Sequence, residues 1–491
     1  MTLAPARIAD QPLLQKRARG RGPLRSGVVA AALCWAFGSL GVCAQPTGLP
    51  SALASALPSA LAGSQQVAQA ALPVGAASAG PASTATAEGR QSAVWRTAEQ
   101  QQAAFLGTLK SLVEIESGSR DLEGLRTLAD EVAARLKALG MDVKTIPTKA
   151  PDFHPMLKGA ELGPMVYGRK LGKGSKKVLL IAHMDTVYPR GMGAKQPFRV
   201  EGDKAYGLGI ADDKAGVALI LHTVDLLARL GHDDFAELGV LINGDEELGS
   251  PGSGPMLTEL GSQYDAVLSF EGGGGRADMV RLATSSIAIA ELKVTGRASH
   301  AGGNPEGGRN AIYELAYQIM KTRHFGDKEK DLKINWTVIE GGAVRNVIPA
   351  HASAIADIRS LTNADLDIME QALREAIKDK LIPDTQIELT FFRSRPAFVP
   401  NAASVVLARH AQSLFRGVGL PLEIRDRASG GGTDAAYAAL RAKGGVLESF
   451  GLRGFGAHGD GTEYVMIDSI IPRLYLATRM VMDVGSGKVR W

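Results

Sequence analysis

Three short apolar runs in this sequence end in acids or a histidine: Ile181-Ala182 leads into His183-Met184-Asp185, Ile242-Asn243-Gly244 into Asp245-Glu246-Glu247, and Ser269-Phe270 into Glu271. Two more acids, Asp212 and Asp213, follow the glycine-rich approach Gly207-Leu208-Gly209, and a late imidazole, His458, stands among glycines in Gly454-Phe455-Gly456-Ala457-His458-Gly459. The glycine-rich approach is not a phosphate loop, because two carboxylates stand where an anion would bind and no Gly-Lys-Ser/Thr follows. Acids there suit a cation. Taken singly, each group reads as a solvated strand end or a loop histidine. Together they supply two imidazoles and several carboxylates with no thiol, a donor set that suits two zinc ions or related divalent metals. His183 and Asp185 are two residues apart, so a strand end turns both side chains to one face, where Asp185 can orient or polarise the imidazole. Glu246 and Glu247 are adjacent and point apart, so one can ligate metal while the other faces solvent or substrate. In Gly430-Gly431-Gly432-Thr433 the backbone amides, that of Gly431 among them, and the Thr433 hydroxyl can be presented to a substrate, or the run can simply make a tight turn; the first reading is preferred. His154, His222, His232, His324, His351 and His410 lie in no such setting and are assigned to packing or surface.

The elements that must position these groups follow from hydrophobic periodicity. Thr97-Ala98-Glu99-Gln100 has capping-box spacing, and helical periodicity runs from there to Ile115 and again from Leu122 to Leu139, where Gly140 ends it. The runs Val178 to Ala182, Leu238 to Ile242 and Ala266 to Phe270 read as buried strands, with an amphipathic helix from Lys214 to Leu230 between the first two. Strands alternating with helices imply an α/β fold with a largely parallel sheet, whose strand ends converge on one crevice. From Ser286 to Pro396 the pattern becomes strand (287–294), helix (310–323), strand (332–340), strand (352–359), helix (364–378), strand (386–392), an order that suits a ferredoxin-like α+β insert. The remainder returns to mixed α/β with a helix near Thr433 to Leu440. The expected organisation is a signal peptide over 1–44, a disordered Ala/Ser/Pro linker over 45–95, a catalytic domain in two parts over 96–285 and 397–491, and the insert over 286–396.

Composition narrows the function classes. The chain has 491 residues, 45% hydrophobic and 22% charged, with 58 glycines, 23 prolines and 5% aromatics, which excludes a coiled coil, a collagen and a wholly disordered chain. The formal charge is +4, yet Arg7, Lys16, Arg17, Arg19, Arg21 and Arg25 against Asp10 account for the basic balance, and no basic stripe with interleaved aromatics remains to bind nucleic acid. Residues 16–25 form a positive stretch and Ser26 to Ala44 an apolar one ending Val42-Cys43-Ala44. This is the pattern of a secretory signal cut near Ala44, too diluted by glycine and serine for a membrane anchor, and it implies a periplasmic or secreted protein with no stable membrane insertion after cleavage. Both cysteines, Cys34 and Cys43, fall inside that signal, so any metal site must use histidines and carboxylates.

With these stretches in view, the sequence resembles the M20 family of dizinc peptidases and, within it, the glutamate carboxypeptidases of carboxypeptidase G type. The resemblance is carried by His183-Met184-Asp185-Thr186-Val187-Tyr188, Gly209-Ile210-Ala211-Asp212-Asp213-Lys214, Asp245-Glu246-Glu247, Ser269-Phe270-Glu271, Ala298-Ser299-His300-Ala301-Gly302, Gly430-Gly431-Gly432-Thr433-Asp434-Ala435-Ala436-Tyr437 and Gly454-Phe455-Gly456, and runs in order from about Gln100 to Lys488. It implies a zinc-exopeptidase-like sheet with helices on both faces and two zinc ions per subunit, one held by His183, Asp212 and Glu271, the other by Asp212, Glu247 and His458. It further implies a cis peptide between Asp212 and Asp213, Asp185 as the support of a ligand, and Glu246 as general base. Arg359, Asn346 and Arg281 look like the family's anion-binding set for the carboxylates of a C-terminal glutamate. His300 is implied to reach the active site of a partner subunit, which makes the insert a dimerisation lid and the protein a homodimer. The stretch Gly272 to Met279 departs from the family pattern. The expected activity is release of C-terminal glutamate from peptides or N-acyl and folyl glutamates. The alternatives are an M20-type amidohydrolase, deacylase or dipeptidase acting on other N-acyl amino acids, and a metal-bearing binding protein without catalysis, against which Glu246 argues.

Overall fold

The computed structural model describes residues 89–428, 430–459 and 461–491; the expected signal peptide and most of the expected linker lie outside the described residues. The chain enters through α1 (Ala93–Val113), capped by Ser92, whose side chain accepts from the Trp95 N–H. The expected capping box at Thr97 lies inside this helix, and the Thr97 hydroxyl donates to the Ala93 carbonyl instead. Burial of Val94 and Trp95, the latter edge-on against Tyr475 at 5.6 Å, extends the helix toward the N-terminus. Next come α2 (Leu122–Ala138), β1 (Asp142–Lys149), β2 (Glu161–Leu171), β3 (Lys177–His183), the hairpin β4 (Arg199–Glu201) and β5 (Lys204–Tyr206), α3 (Ala215–Arg229), β6 (Glu237–Gly244), α4 (Gly254–Gln263), β7 (Ala266–Ser269) and β8 (Met279–Arg281).

The segment that follows holds β9 (Ser286–Thr295), β10 (Ser299–His300), α5 (Ala311–Thr322), β11 (Lys333–Gly341), β12 (Val347–Ile348), β13 (His351–Ser360), α6 (Asn363–Ala376) and β14 (Gln386–Arg395). The chain then finishes with α7 (Ala402–Gly417), β15 (Glu423–Arg425), α8 (Ala435–Ala439), β16 (Gly445–Leu447), β17 (Gly454–Phe455), β18 (Tyr464–Met466) and α9 (Ile470–Gly485).

Six strands make the main sheet in the order β1-β2-β6-β3-β7-β16. The β6–β3, β3–β7 and β7–β16 pairings are parallel, while β2 runs antiparallel to both β1 and β6. The antiparallel edge was not legible beforehand, because β1 is mostly polar and exposed and lacks a buried run. Helices cover both faces. Val178, Leu180 and Ala182 pack into one core with α1, α2, α3, α7 and α9, and Leu179 and Ile181 pack into the other with α4 and α8. Burial of β6 along all eight residues is what a parallel strand between two helical layers requires.

A separate antiparallel sheet has the order β11-β13-β9-β14. Its βαββαβ connectivity gives the ferredoxin-like arrangement that the strand and helix pattern predicts. The helices α5 and α6 pack on one face of it, in two small cores around Leu315 and Leu366.

Candidate metal centre

The parallel strands end together, and their ends carry the site. His183 is the last residue of β3 and is 1% exposed. Its Nε2 lies 3.0 Å from Asp212 Oδ1 and 3.5 Å from Glu271 Oε1. On its far side Nδ1 meets the Asp185 carbonyl at 3.1 Å and Asp185 Oδ1 at 3.4 Å, which orients the ring with Nε2 toward the acids. Asp212 turns its other oxygen, Oδ2, to His458 Nε2 at 3.1 Å, and His458 Nε2 lies 3.3 Å from Glu247 Oε1. Two groups result, His183, Asp212 and Glu271, and Asp212, Glu247 and His458, each with its ligand atoms within 4.8 Å of one another. Asp212 belongs to both, and the peptide between Asp212 and Asp213 is cis.

Asp185 is fully buried and does more than orient His183. Its two oxygens accept from the backbone N–H groups of Glu246 at 3.0 Å and Glu247 at 3.1 Å, and Oδ2 also accepts from the Ser119 hydroxyl at 2.8 Å. The tight turn after β6 is thereby fastened to the end of β3, and the two glutamates diverge from it: Glu247 toward His458, Glu246 toward Arg395. Arg395, the last residue of β14 and 4% exposed, donates through its two terminal nitrogens to Glu246 Oε1 and to the Glu246 carbonyl. A cleft of about 490 Å³ opens here, lined among others by Glu246, Glu271, His458, Arg120, Arg359 and Arg395.

Residues 179–483 match the family described as Peptidase family M20/M25/M40, a span that includes His183, Asp212, Glu247, Glu271 and His458. The chain belongs to this family. It is 43% identical to Carboxypeptidase G2 from Pseudomonas sp. (strain RS-16) over 407 residues, 83% of this chain and 95% of that protein. Among solved structures, the M20 family metallo-carboxypeptidase Sso-CP2 from Sulfolobus solfataricus superposes with a TM-score of 0.62 at 17% identity, covering 77% of this chain and 98% of that one. The di-peptidase Dug1p from Saccharomyces cerevisiae gives a TM-score of 0.63 at 16% identity, covering 79% of this chain and 97% of that one. At such identities the likeness speaks for the fold alone. The expected family, enzyme class and largely parallel α/β fold therefore hold: this is a hydrolase of the M20 metallopeptidase family.

The donor chemistry of this M20 centre fits metal. Burial holds the Glu271 carboxyl well above its ordinary range, with repulsion from Asp212 adding to it, and raises Glu247 to about 7 despite its contact with His458. Burial also opposes the charge on Asp212, but hydrogen bonds from His183 and His458 outweigh it and keep this carboxylate ionised. Glu247 Oε1 is buried, and although His458 Nε2 lies 3.3 Å away the angle makes no hydrogen bond, which leaves an acceptor that a cation would satisfy.

Not every predicted residue reaches the cleft. Arg359 lines it, with Nε and one terminal nitrogen on the Asp357 carboxylate at 2.8 and 3.0 Å and the other on the Gly430 carbonyl at 3.1 Å; Gly431 lines it as well. Thr433 is buried and is not among the residues lining the cleft; its hydroxyl accepts from the Ala435 N–H at 3.2 Å. Arg281 lies elsewhere, in a cavity of about 900 Å³ with Arg276, Arg425 and Arg427, because β8 pairs with β15 and carries it there. His300 and Asn346 sit at the β10–β12 ladder, exposed and outside the cleft of their own chain. Arg395 and Ser119 were missed, since an arginine in alternation at a strand end and a serine in a turn carry no signal of their own.

Proposed function

We propose that this chain is a two-zinc carboxypeptidase that hydrolyses the amide ahead of a C-terminal glutamate in peptides or N-acyl glutamates. The observation that carries the reading is Asp212, whose two oxygens face two imidazoles in one cleft beside Glu246 and buried or half-buried arginines. His183, Asp212 and Glu271 would hold one ion and Asp212, Glu247 and His458 the other. When bound, such ions activate water and polarise a carbonyl. Glu246 is placed to take the proton of the attacking water and to deliver it to the amine nitrogen as the C–N bond breaks. Its Oε1 is engaged by Arg395, which leaves Oε2 for that proton. Arg359 and Arg395 line the cleft, and although they are held on Asp357 and on Glu246, their remaining N–H groups would meet the terminal carboxylate with charge-assisted hydrogen bonds. Arg281 lies outside this cleft, in a cavity lined by Arg276, Arg425 and Arg427 together with Glu423 and Asp426, so any anionic group it served would sit there. The likeness to Carboxypeptidase G2 supports glutamate as the released residue.

The same reading makes 286–396 a dimerisation lid inserted between catalytic segments 96–285 and 397–491. Tyr313 and Met320 on α5 and Val338 and Ile339 on the edge strand β11 are exposed apolar groups that a second subunit would cover. His300 Nδ1 accepts from the Gly302 and Gly303 N–H groups at 3.1 and 2.9 Å, so a neutral ring carries its proton on Nε2 and can donate outward, into the partner's cleft. Export rests on the pattern of residues 16–44, and among the described residues no helix is long and apolar enough to cross a membrane. The test is amino-acid release from a panel of N-acyl amino acids and blocked dipeptides, with and without chelator. Chelator-sensitive release of glutamate above all other residues is expected; preferential release of another amino acid would favour the amidohydrolase or dipeptidase alternative, and no release at all would overturn the enzyme reading.

A further inference from the structure

Behind the loop that carries Asp212 lies a carboxylate to which the chemistry above gives no task. Glu463, five residues after His458, is 2% exposed. Its Oε1 accepts from the backbone N–H groups of Ala211 at 2.8 Å and Asp212 at 3.1 Å. Its Oε2 accepts from the Gly209 N–H at 2.9 Å and from the Tyr188 hydroxyl at 2.7 Å. The backbone carbonyl of Glu463 accepts from the Gly207 N–H at 3.3 Å, so the approach to the loop is held as well. Gly209 has φ +68, and a Cβ there would meet the Thr186 side chain at 2.3 Å, so glycine lets the loop press this closely on its neighbours.

Three ligand-bearing segments meet on this one side chain. Tyr188 follows His183 by five residues and comes from the loop after β3; Gly209 to Asp212 form the bridging loop; Glu463 itself belongs to the chain that continues from His458. The Tyr188 hydroxyl also approaches the Gly459 carbonyl at 3.4 Å, next to His458. We infer that Glu463 is a positioning residue for the metal bridge: by holding the peptide N–H groups on both sides of Ala211, it sets the direction of Asp212 so that one oxygen meets His183 and the other His458. The inference rests on the ligand reading proposed above and adds the group that sets its geometry.

The two metal positions should depend on Glu463 unequally. His183 is buried and braced from behind by Asp185. The His458 side chain is 55% exposed, and its ring meets Asp212 and Glu247 alone among the contacts of the described residues. Loosening the Asp212 loop therefore takes the bridging oxygen first from the His458 side.

The test compares wild type, Glu463→Gln and Tyr188→Phe, each titrated with zinc in chelator-buffered solutions, with bound zinc measured by mass spectrometry and the melting temperature of the metal-free protein measured alongside. Glu463→Gln is expected to keep one zinc near wild-type affinity and to bind the other about 10- to 100-fold more weakly, the range typical of groups that orient ligands. Tyr188→Phe, which deletes one donor to the carboxylate, should show the same asymmetry at smaller amplitude, and decides the matter if Glu463→Gln does not fold. Two zinc ions bound by either folded variant as in wild type, even with a lowered metal-free melting temperature, would make Glu463 a staple of the loop and overturn the inference, as would equal weakening at both positions. Glutamate release plays no part in this readout, so a wild type that binds two zinc ions yet releases no glutamate, with the asymmetry present in the variants, sinks only the functional reading.

Discussion

The six-stranded sheet and the four-stranded sheet of the insert follow opposite burial plans. Strand β6 is buried at every residue, whereas β9 alternates buried and partly exposed positions along its ten residues. A parallel sheet between two helical layers has no free face, so chemistry can be placed only at its strand ends. That is where His183, the Glu246-Glu247 turn and Glu271 are found. The insert has a face without helices and two ends to use. At one end β13 and β14 deliver Arg359 and Arg395, and β9 delivers Ile287, to the cleft. At the β10–β12 ladder, His300 and Asn346 are exposed and do not line the cleft of their own chain. The insert thus reaches its own chain's cleft through one end and leaves the other end exposed.

The largest effects are expected on the six-stranded sheet. Asp212→Ala should lose both metals, where His183→Ala or His458→Ala lose mainly one, because only Asp212 faces both imidazoles; metal analysis checks this, and tight binding of two ions by Asp212→Ala would break the bridge. Glu246→Ala should keep both metals and lose roughly 10²- to 10⁴-fold in turnover, as removal of a general base does. Near wild-type kinetics in that variant would reduce Glu246 to an ordinary acid of the turn.

Next in size are the effects at the cleft end of the insert. Arg395→Ala removes one member of a buried pair and leaves the Glu246 carboxylate uncompensated, a change that typically costs about 3 to 5 kcal/mol. A lowered melting temperature together with a raised KM is expected, while Arg359→Ala, half-buried and paired with Asp357, should raise KM with little effect on melting. Equal melting temperatures for the two variants would erase the distinction between them.

The outer end is tested by mixing. His300→Ala should keep zinc and fold but lose about 10²- to 10³-fold in rate, the usual worth of an oxyanion donor. Mixed with inactive Glu246→Ala subunits it should regain part of the activity, since one site of each mixed dimer combines an intact Glu246 with an intact His300. Exchange of mass-tagged subunits without recovery would rule out action across the interface, and a fully active monomer would remove the interface altogether.

The last expected effect lies outside both sheets, on α3, and is read in stability alone. His222 on α3 is buried beside Phe105, its Nε2 3.0 Å from the Thr108 hydroxyl, and burial lowers its pKa to about 4 from an ordinary 6.5. The folded state resists protonation while the unfolded chain accepts it, so this contribution is fully present above about pH 6.5 and is lost as pH falls toward 4. At about 1.4 kcal/mol per pH unit, the loss is on the order of 3 kcal/mol. His222→Gln should flatten the fall of the melting temperature between pH 6.5 and 4.5, and an unchanged slope would place acid sensitivity elsewhere.

Read residue by residue, the sequence alone determined the donor set and much of the scaffold. Buried strands ending in His183, Glu246-Glu247 and Glu271 announce themselves because a run of apolar residues followed by acids is a local pattern, and the βαββαβ order of the insert is equally local in its periodicity. The resemblance then distributed roles among residues that spacing alone left open, such as which glutamate of the pair faces metal. Tertiary structure decided what depends on where distant segments meet. Thr433 is buried with its hydroxyl on the Ala435 N–H, and β8 carried Arg281 to another cavity because it found its partner in β15. Arg395 and Glu463 are separated from the groups they hold by 149 and about 250 residues of chain, and nothing in their neighbours' sequence marks them. A buried ion pair or a carboxylate receiving backbone N–H groups comes into being only when packing excludes water from both partners at once, which no single segment does on its own.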